Sequence, residues 1–269
     1  MKTTSKITKI LRIAVPIVII LFCFLGFLFA PNDPKKAVVM NKFLEPCMEY
    51  PFGTDELGRC VFSRILWGGW VTVGIVLFGS LLVGIFGSFI GLLLGQSSTA
   101  KNVIMDSVLN AVTAIPPIAY LIIFIGIWGN SIPTMLIALT ASLILRMIKL
   151  VKTQTEIEIG KAYIMCAISC GASHIRILFG HVLPNIVREI IHFLCLSCAE
   201  MIMTISGFSF IGLSLGDNVI DWDTMLSAAR NMMGMRPMLL FYPILFIFLS
   251  TLSFNMLGKV LEKEDNPHA

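Results

Sequence analysis

The length of its uncharged stretches constrains this chain more than any other feature. Residues 13–30, 71–95 and 107–145 contain no Asp, Glu, Lys or Arg. A run of about 20 apolar residues is long enough to cross the hydrocarbon core of a bilayer as a helix. Only 13% of the chain is charged and 57% is hydrophobic, whereas about a quarter of a soluble domain is charged. The chain therefore needs lipid around much of its surface.

The hydrophobic pattern predicts an all-α polytopic membrane protein with six transmembrane helices. The predicted spans are residues 13–30, 71–95, two crossings within 107–145, 187–205 and 237–258. Glycine, asparagine and proline at residues 129–133 supply the turn between the third and fourth spans. Pro116 and Pro117 lie inside the third span, where they must kink or interrupt the helix. We expect a simple kink there.

The distribution of basic residues predicts the orientation of the spans. Most Lys and Arg residues lie in cytoplasmic segments if the N-terminus is inside, so both termini are expected in the cytoplasm. The first apolar run is too long for a signal peptide and is followed by Pro31, so we expect it to be retained. The predicted division is an N-terminal segment with the first span (1–30), an extracytoplasmic segment (31–70), a five-helix core (71–258) and a cytoplasmic tail (259–269).

A long cytoplasmic segment, residues 146–184, separates the fourth and fifth spans. Its apolar residues fall among small and polar ones in a helical pattern; they include Ile164, Ala167, Ile168, Ile175 and Leu178. A short amphipathic helix needs a surface on which to bury its apolar face. That surface is either the bilayer or a groove in another protein.

Within this segment, the spacing resembles the coupling loop of permeases from ABC-type importers. That loop reads Glu-Ala-Ala, three residues, Gly, nine residues, an aliphatic residue, one residue and Leu-Pro. The matching frame here is Met165, Cys166, Ala167, Gly171, His181, Leu183 and Pro184. The spacing is intact, although Met165 and Cys166 replace the leading Glu and the first Ala.

Further motifs resemble the peptide and nickel branch of these importers. The run Phe-Gly-Thr-Asp-Glu-Leu-Gly-Arg at residues 52–59 looks like the signature that follows the first span in that branch. Other matches in the expected order are residues 63–64, 171–173, 181–185, 209–213, Trp222 and 225–226. Two features depart from the pattern: Cys60 stands where an acid is usual, and the expected prolines near Asp217 and Asn218 are missing.

The resemblance implies a type I ABC importer permease fold in a bacterial or archaeal inner membrane. It implies a heterodimer with a second homologous permease, two ATP-binding subunits beneath the pair and an extracytoplasmic solute-binding protein. The solute would be nickel, a metal chelate or a short peptide, and no nucleic acid is expected as a partner. The residues that the resemblance assigns to ATPase coupling are Ala162, Met165, Cys166, Ala167, Gly171, Ala172, Ser173, His181, Leu183 and Pro184.

No nucleotide-binding or nucleophile motif occurs in the sequence. We therefore expect no catalytic residue and no cofactor, with ATP hydrolysis in a partner subunit. Cys195 and Cys198 share a helical face but lack a second ligand pair, which argues against a zinc site. Five methionines precede the last span, where they serve as flexible apolar residues or as soft metal ligands; they are Met225, Met232, Met233, Met235 and Met238.

The candidate solute pathway residues are Glu200, Met203 and Ser206 in the fifth span. Glu200 is an acid predicted well inside a span, and such residues usually face a cavity or a partner. A structural hydrogen bond to a neighbouring helix is the commoner reason for such a residue. The alternative function for the whole chain is a secondary transporter or channel that works without an ATPase, although inverted repeats are not evident.

Overall fold

A computed structural model describes residues 2–96, 101–210 and 219–265, and within these ranges the chain is α-helical with no β-strand. The prediction of an all-α protein is confirmed. The α-helices are α1 (Lys2–Leu25), α2 (Val61–Leu82), α3 (Ser88–Gly95), α4 (Lys101–Thr113), α5 (Pro117–Trp128), α6 (Ile132–Ile159), α7 (Ala162–Ser169), α8 (His174–Ile177), α9 (Leu183–Phe210), α10 (Trp222–Arg230) and α11 (Pro237–Asp265). Two π-helical turns make continuous rods of α2 with α3 and of α8 with α9.

Five helical stretches are long and apolar enough to cross a membrane. They are Ile10–Phe29, Val61–Gly95, Ile132–Ile159, His174–Phe210 and Pro237–Leu261. The pair α4 and α5 is bent by 81° and makes a sixth crossing when it is counted as one broken span. The polytopic architecture predicted from hydropathy is therefore present.

The break between α4 and α5 lies at the two prolines. Helix α4 ends at Thr113, Pro116 has an extended backbone with ψ 147°, and α5 begins at Pro117. A proline disfavours the helical conformation of the residue before it, so Pro117 keeps the backbone of Pro116 extended. Pro117 itself is tolerated in the first helical turn, where its missing N–H costs nothing. The expectation of a simple kink is wrong, because the helix is interrupted.

Two spans are longer than the uncharged runs. The rod that begins with α2 starts at Val61 rather than at residue 71, and α6 continues to Ile159 rather than ending at residue 145. Each added length of helix contains a buried cation: Arg64 is 5% exposed and Lys152 is 1% exposed. The Lys152 ammonium lies 2.7 Å from both the Asp106 and the Glu156 carboxylates, so its charge is compensated. The first part of the predicted cytoplasmic segment 146–184 is consequently the end of α6.

Helix α10 is held against α2 by Trp222. Its indole N–H donates to the carbonyl of Ile65 at 2.8 Å, and its backbone N–H donates to the Thr72 hydroxyl at 3.3 Å. The ring is fully buried beside Gly68 and Gly69. Glycines at these two positions let the indole approach the α2 backbone closely. The Trp222 motif residue therefore attaches α10 to the bundle.

We predict that Gly69→Ala destabilises the protein and that Gly74→Ala does not. A methyl group on Gly69 would overlap the carbonyl oxygen of Cys23 and lie 3.0 Å from the Trp222 ring, so we expect a loss of about 2 kcal/mol. A methyl group on Gly74 would meet only Phe24 at 3.7 Å. Thermal unfolding of the two variants in detergent tests this difference. Equal midpoints would show that α1 can move away from α2 without cost.

Candidate coupling loop and solute pathway

The predicted coupling loop contains the short helix α7, which ends at a glycine-dependent reversal. Gly171 has a φ of +83°, a conformation that residues with a side chain rarely adopt. The Ala172 N–H donates to the Ala167 carbonyl at 3.1 Å, and the Gly171 N–H donates to the Ile168 carbonyl at 2.9 Å. These two bonds form a Schellman motif, with Gly171 at its left-handed position. The motif explains why a glycine lies four residues after Ala167.

The loop residues predicted to couple to an ATPase lie together between the ends of α6 and α9. Ile164 is buried against the core, whereas Met165 and Ile168 are 60% and 50% exposed. Ala167, Ala172, His181 and Leu183 are half-buried, and Ala162, Met165, Cys166, Gly171, Ser173 and Pro184 are exposed. Helix α7 therefore presents an exposed face that contains apolar side chains, as a docking element requires.

Pro184, the last residue of the predicted cytoplasmic segment 146–184, lies inside a helix rather than at the end of a loop. The helical stretch His174–Phe210 runs through it without a break. A π-helical turn over Leu178–Val182 comes directly before α9. Such a turn widens the backbone and gives room for a proline ring that would otherwise clash with the carbonyl four residues earlier.

Four polar side chains join the two ends of the loop. Glu158 at the end of α6 accepts a hydrogen bond from the Tyr163 hydroxyl at 2.5 Å and an ion-pair contact from Lys161 at 2.5 Å. Asn185 in the first turn of α9 donates to the Tyr163 oxygen at 2.7 Å. Sequence reasoning included Asn185 in a motif without a role and missed Glu158 and Tyr163. The signal available in the sequence was a polar aromatic residue, Tyr163, directly before Ile164 of the predicted apolar pattern.

Glu200 forms an ion pair across two spans. Its Oε1 atom lies 2.7 Å from Arg146 Nη1 on α6, and the two side chains are 39% and 27% exposed. Beside Arg146 is an open cavity of about 420 Å³, lined by Thr113, Arg146, Lys149, Leu150, Thr153, Gln154 and Phe193. Glu200 therefore has the bond to a neighbouring helix that was predicted as one explanation, and a cavity lies beside its partner Arg146, as the other explanation requires.

The three candidate pathway residues do not converge on one site. Glu200 faces α6, Met203 is 61% exposed, and Ser206 is buried. The Ser206 hydroxyl donates to Asp223 on α10 at 2.8 Å. Residues 211–213 of the resemblance motif, together with Asp217 and Asn218, lie outside the described residues. Within the described part of the chain, no three His, Cys, Asp or Glu side chains are grouped to hold a metal ion.

Two buried carboxyl groups lie at the start of α10. Asp221 caps the helix by accepting from the Thr224 N–H at 3.0 Å. Burial raises the pKa of Asp221 above its ordinary value, and its bonds from Thr224 oppose that shift. Burial and the neighbouring Asp221 raise the pKa of Asp223 further, against the hydrogen bond from Ser206. Asp223 therefore retains its proton in the folded protein to a higher pH than in the unfolded chain.

Comparison with known proteins identifies the family. Residues 86–264 match the binding-protein-dependent transport system inner membrane component. The chain belongs to this family. The glutathione transport system permease protein GsiD of Pectobacterium atrosepticum is 30% identical over 93% of this chain and 84% of its own length. The nickel transport system permease protein NikC of Escherichia coli is 26% identical over 88% of this chain and 86% of its own length.

The family match covers the motifs from the coupling loop onwards, whereas the motifs at residues 52–59 and 63–64 precede it. It begins before α3 and includes the broken span, the loop with α7 and the helix α10. An alignment over 93% of the chain also includes most residues before 86. The resemblance to permeases of peptide and nickel importers is confirmed. The protein is therefore a multi-pass membrane component of the ABC importer permease class.

We predict that Asp223→Asn makes stability less dependent on pH. Because the folded-state pKa of Asp223 is raised, wild-type stability falls as pH rises from about 4 towards that raised value. Asparagine can accept the Ser206 bond without a charge, so its advantage over wild type should grow with pH and then level off. Thermal midpoints measured from about pH 4 to pH 8 check this, with exposed Asp33→Asn as the control. A constant offset across that range would contradict the prediction.

Proposed function

We propose that this chain is the permease subunit of an ATP-driven importer and forms half of its translocation pathway. Family membership supports the transport role. The observation that carries the coupling role is α7, a short helix with an exposed face containing apolar residues, positioned between the ends of two membrane-spanning helices. Two ATP-binding subunits would dock on the cytoplasmic side, one of them on this α7. Both termini would then be cytoplasmic.

The remaining partners follow from the same proposal. A second homologous permease would complete the pathway, and an extracytoplasmic binding protein would deliver the solute. The segment 31–70 and α10 would face that protein, the core 71–258 would carry the pathway, and residues 259–269 would form a cytoplasmic tail. Catalysis would reside in the ATPase subunits. A secondary transporter or channel without an ATPase remains the competing function, and an exposed docking helix favours the importer.

Short peptides and nickel or its chelates are the proposed solute classes. The relatives named for glutathione and for nickel cover similar shares of the chain, 93% and 88%. The cavity beside the Arg146–Glu200 ion pair offers the basic side chains of Arg146 and Lys149, hydroxyl groups and the apolar wall of Phe193. Such a mixture suits a polar solute in transit, because ionisable groups within spans are costly unless they have a function.

The docking proposal predicts that a positive and a negative charge at the exposed position 165 have different effects on ATPase binding. Met165→Lys should lower the amount of co-purified ATPase about tenfold, because it buries a cation where the family resemblance implies an acid. Met165→Glu should retain the ATPase. Met235→Lys, exposed between α10 and α11, is the surface control. Equal retention by all three variants would contradict docking through α7.

The solute proposal predicts a transport defect in cells that lack this subunit. Uptake of labelled nickel and of labelled glutathione should be compared in deleted and complemented cells. We expect one of the two to fall to the background level and to recover on complementation. Unchanged uptake of both would remove the solute assignment while leaving the docking test unaffected.

A further inference from the structure

Helix α7 needs more than one attachment to transmit a displacement. It contains eight residues, fewer than an isolated helix needs for stability in water. Within α7, all of which is described, Ile164 is the buried residue. A helix anchored by one side chain would rotate about that anchor when a partner pushes on its exposed face. The adjacent side chain, Tyr163, supplies a second attachment.

The Tyr163 hydroxyl lies between the two spans that flank the loop. It donates its proton to Glu158 Oε1 at 2.5 Å and accepts from Asn185 Nδ2 at 2.7 Å. Glu158 belongs to the last turn of α6 and Asn185 to the first turn of α9. One hydroxyl group therefore joins α7 to both spans.

The two partners of Tyr163 are themselves held in place. The Glu158 side chain is 7% exposed and its second oxygen lies 2.5 Å from Lys161 Nζ, which restricts its rotation. Asn185 also donates to the His181 carbonyl at 2.9 Å and lies 3.2 Å from Glu158 Oε1. Hydrogen bonds to an ionised acceptor are stronger than those between neutral groups. We name this set, Glu158, Lys161, Tyr163 and Asn185, the loop latch.

We propose that Tyr163 is a positioning residue for coupling: through the loop latch it fixes α7 to α6 and α9, so that movement of α7 displaces both spans together. The inference rests on the proposed function, because it requires an ATPase that moves α7. It goes further by assigning transmission to a hydroxyl group that bonds to residues of both flanking spans. Packing through Ile164 alone would hold α7 near the bundle but would leave its orientation free.

The test removes the hydroxyl and keeps the ring. Tyr163→Phe is compared with Tyr120→Phe, which removes a hydroxyl that donates to the Val112 carbonyl at 3.2 Å across the broken span. Hydrogen exchange of the purified subunit should accelerate about three- to tenfold at α7 amides in Tyr163→Phe, the factor that one or two lost hydrogen bonds produce. Tyr120→Phe should leave α7 exchange unchanged.

The second readout is coupling in proteoliposomes that contain the complete transporter. With glutathione or nickel as the probe, Tyr163→Phe should raise the ATP hydrolysed per solute transported about three- to tenfold. The amount of bound ATPase should not change, because the docking face is intact. Asn185→Ala should have a similar effect, and the double variant should be no worse than either single variant, since both remove one network.

Each result decides a different claim. Unchanged exchange at α7 in Tyr163→Phe would overturn the latch, whatever the protein transports. Faster exchange with an unchanged coupling ratio would show that the latch holds the helix but does not transmit movement. A wild-type complex that binds no ATPase and transports neither probe would contradict the proposed function and the coupling role together.

Discussion

A charged side chain within a membrane-spanning helix must find a partner, and such pairs join the central helices of this protein. Arg146 on α6 reaches Glu200 on α9 at 2.7 Å. Further along α6, Lys152 reaches Asp106 on α4 at the same distance. Leaving one of these charges unpaired between apolar helices would be costly, so each pair restricts the rotation of α6 against a neighbour. The broken span and the loop are positioned around this helix.

Helix α9 contacts other elements of the bundle at both of its ends and in its middle. Near its C-terminal end Ser206 donates to Asp223 on α10, and α10 is held to α2 through the Trp222 indole. In its middle it pairs with α6 through Glu200. At its N-terminal end Asn185 belongs to the loop latch. A displacement of α7 would therefore reach a helix that contacts both the cavity beside Arg146 and α10, as the importer proposal requires.

The differences between the sequence-based spans and the structure have a common origin. Spans defined by missing charges ended early wherever a charge was compensated, so α6 was predicted to end before Arg146 although it continues past the paired Lys152. At the prolines the prediction erred in the other direction, because it joined two helices into one span. Pro116 and Pro117 were placed inside a continuous span, yet the chain bends by 81° there. Hydropathy averages over a window and registers neither compensation nor a local backbone restriction.

The sequence by itself determined the membrane class, the approximate number of crossings, the place of the loop and the family resemblance. These depend on local composition and on motif spacing, which are visible along the chain. Only the tertiary structure decided which faces meet: Glu200 with Arg146, Ser206 with Asp223, and Tyr163 with Glu158 and Asn185. In α2, for example, buried Val73 and exposed Phe78 are equally apolar. Because lipid and protein interior are both apolar, hydrophobicity does not specify the rotation of a helix in a membrane bundle.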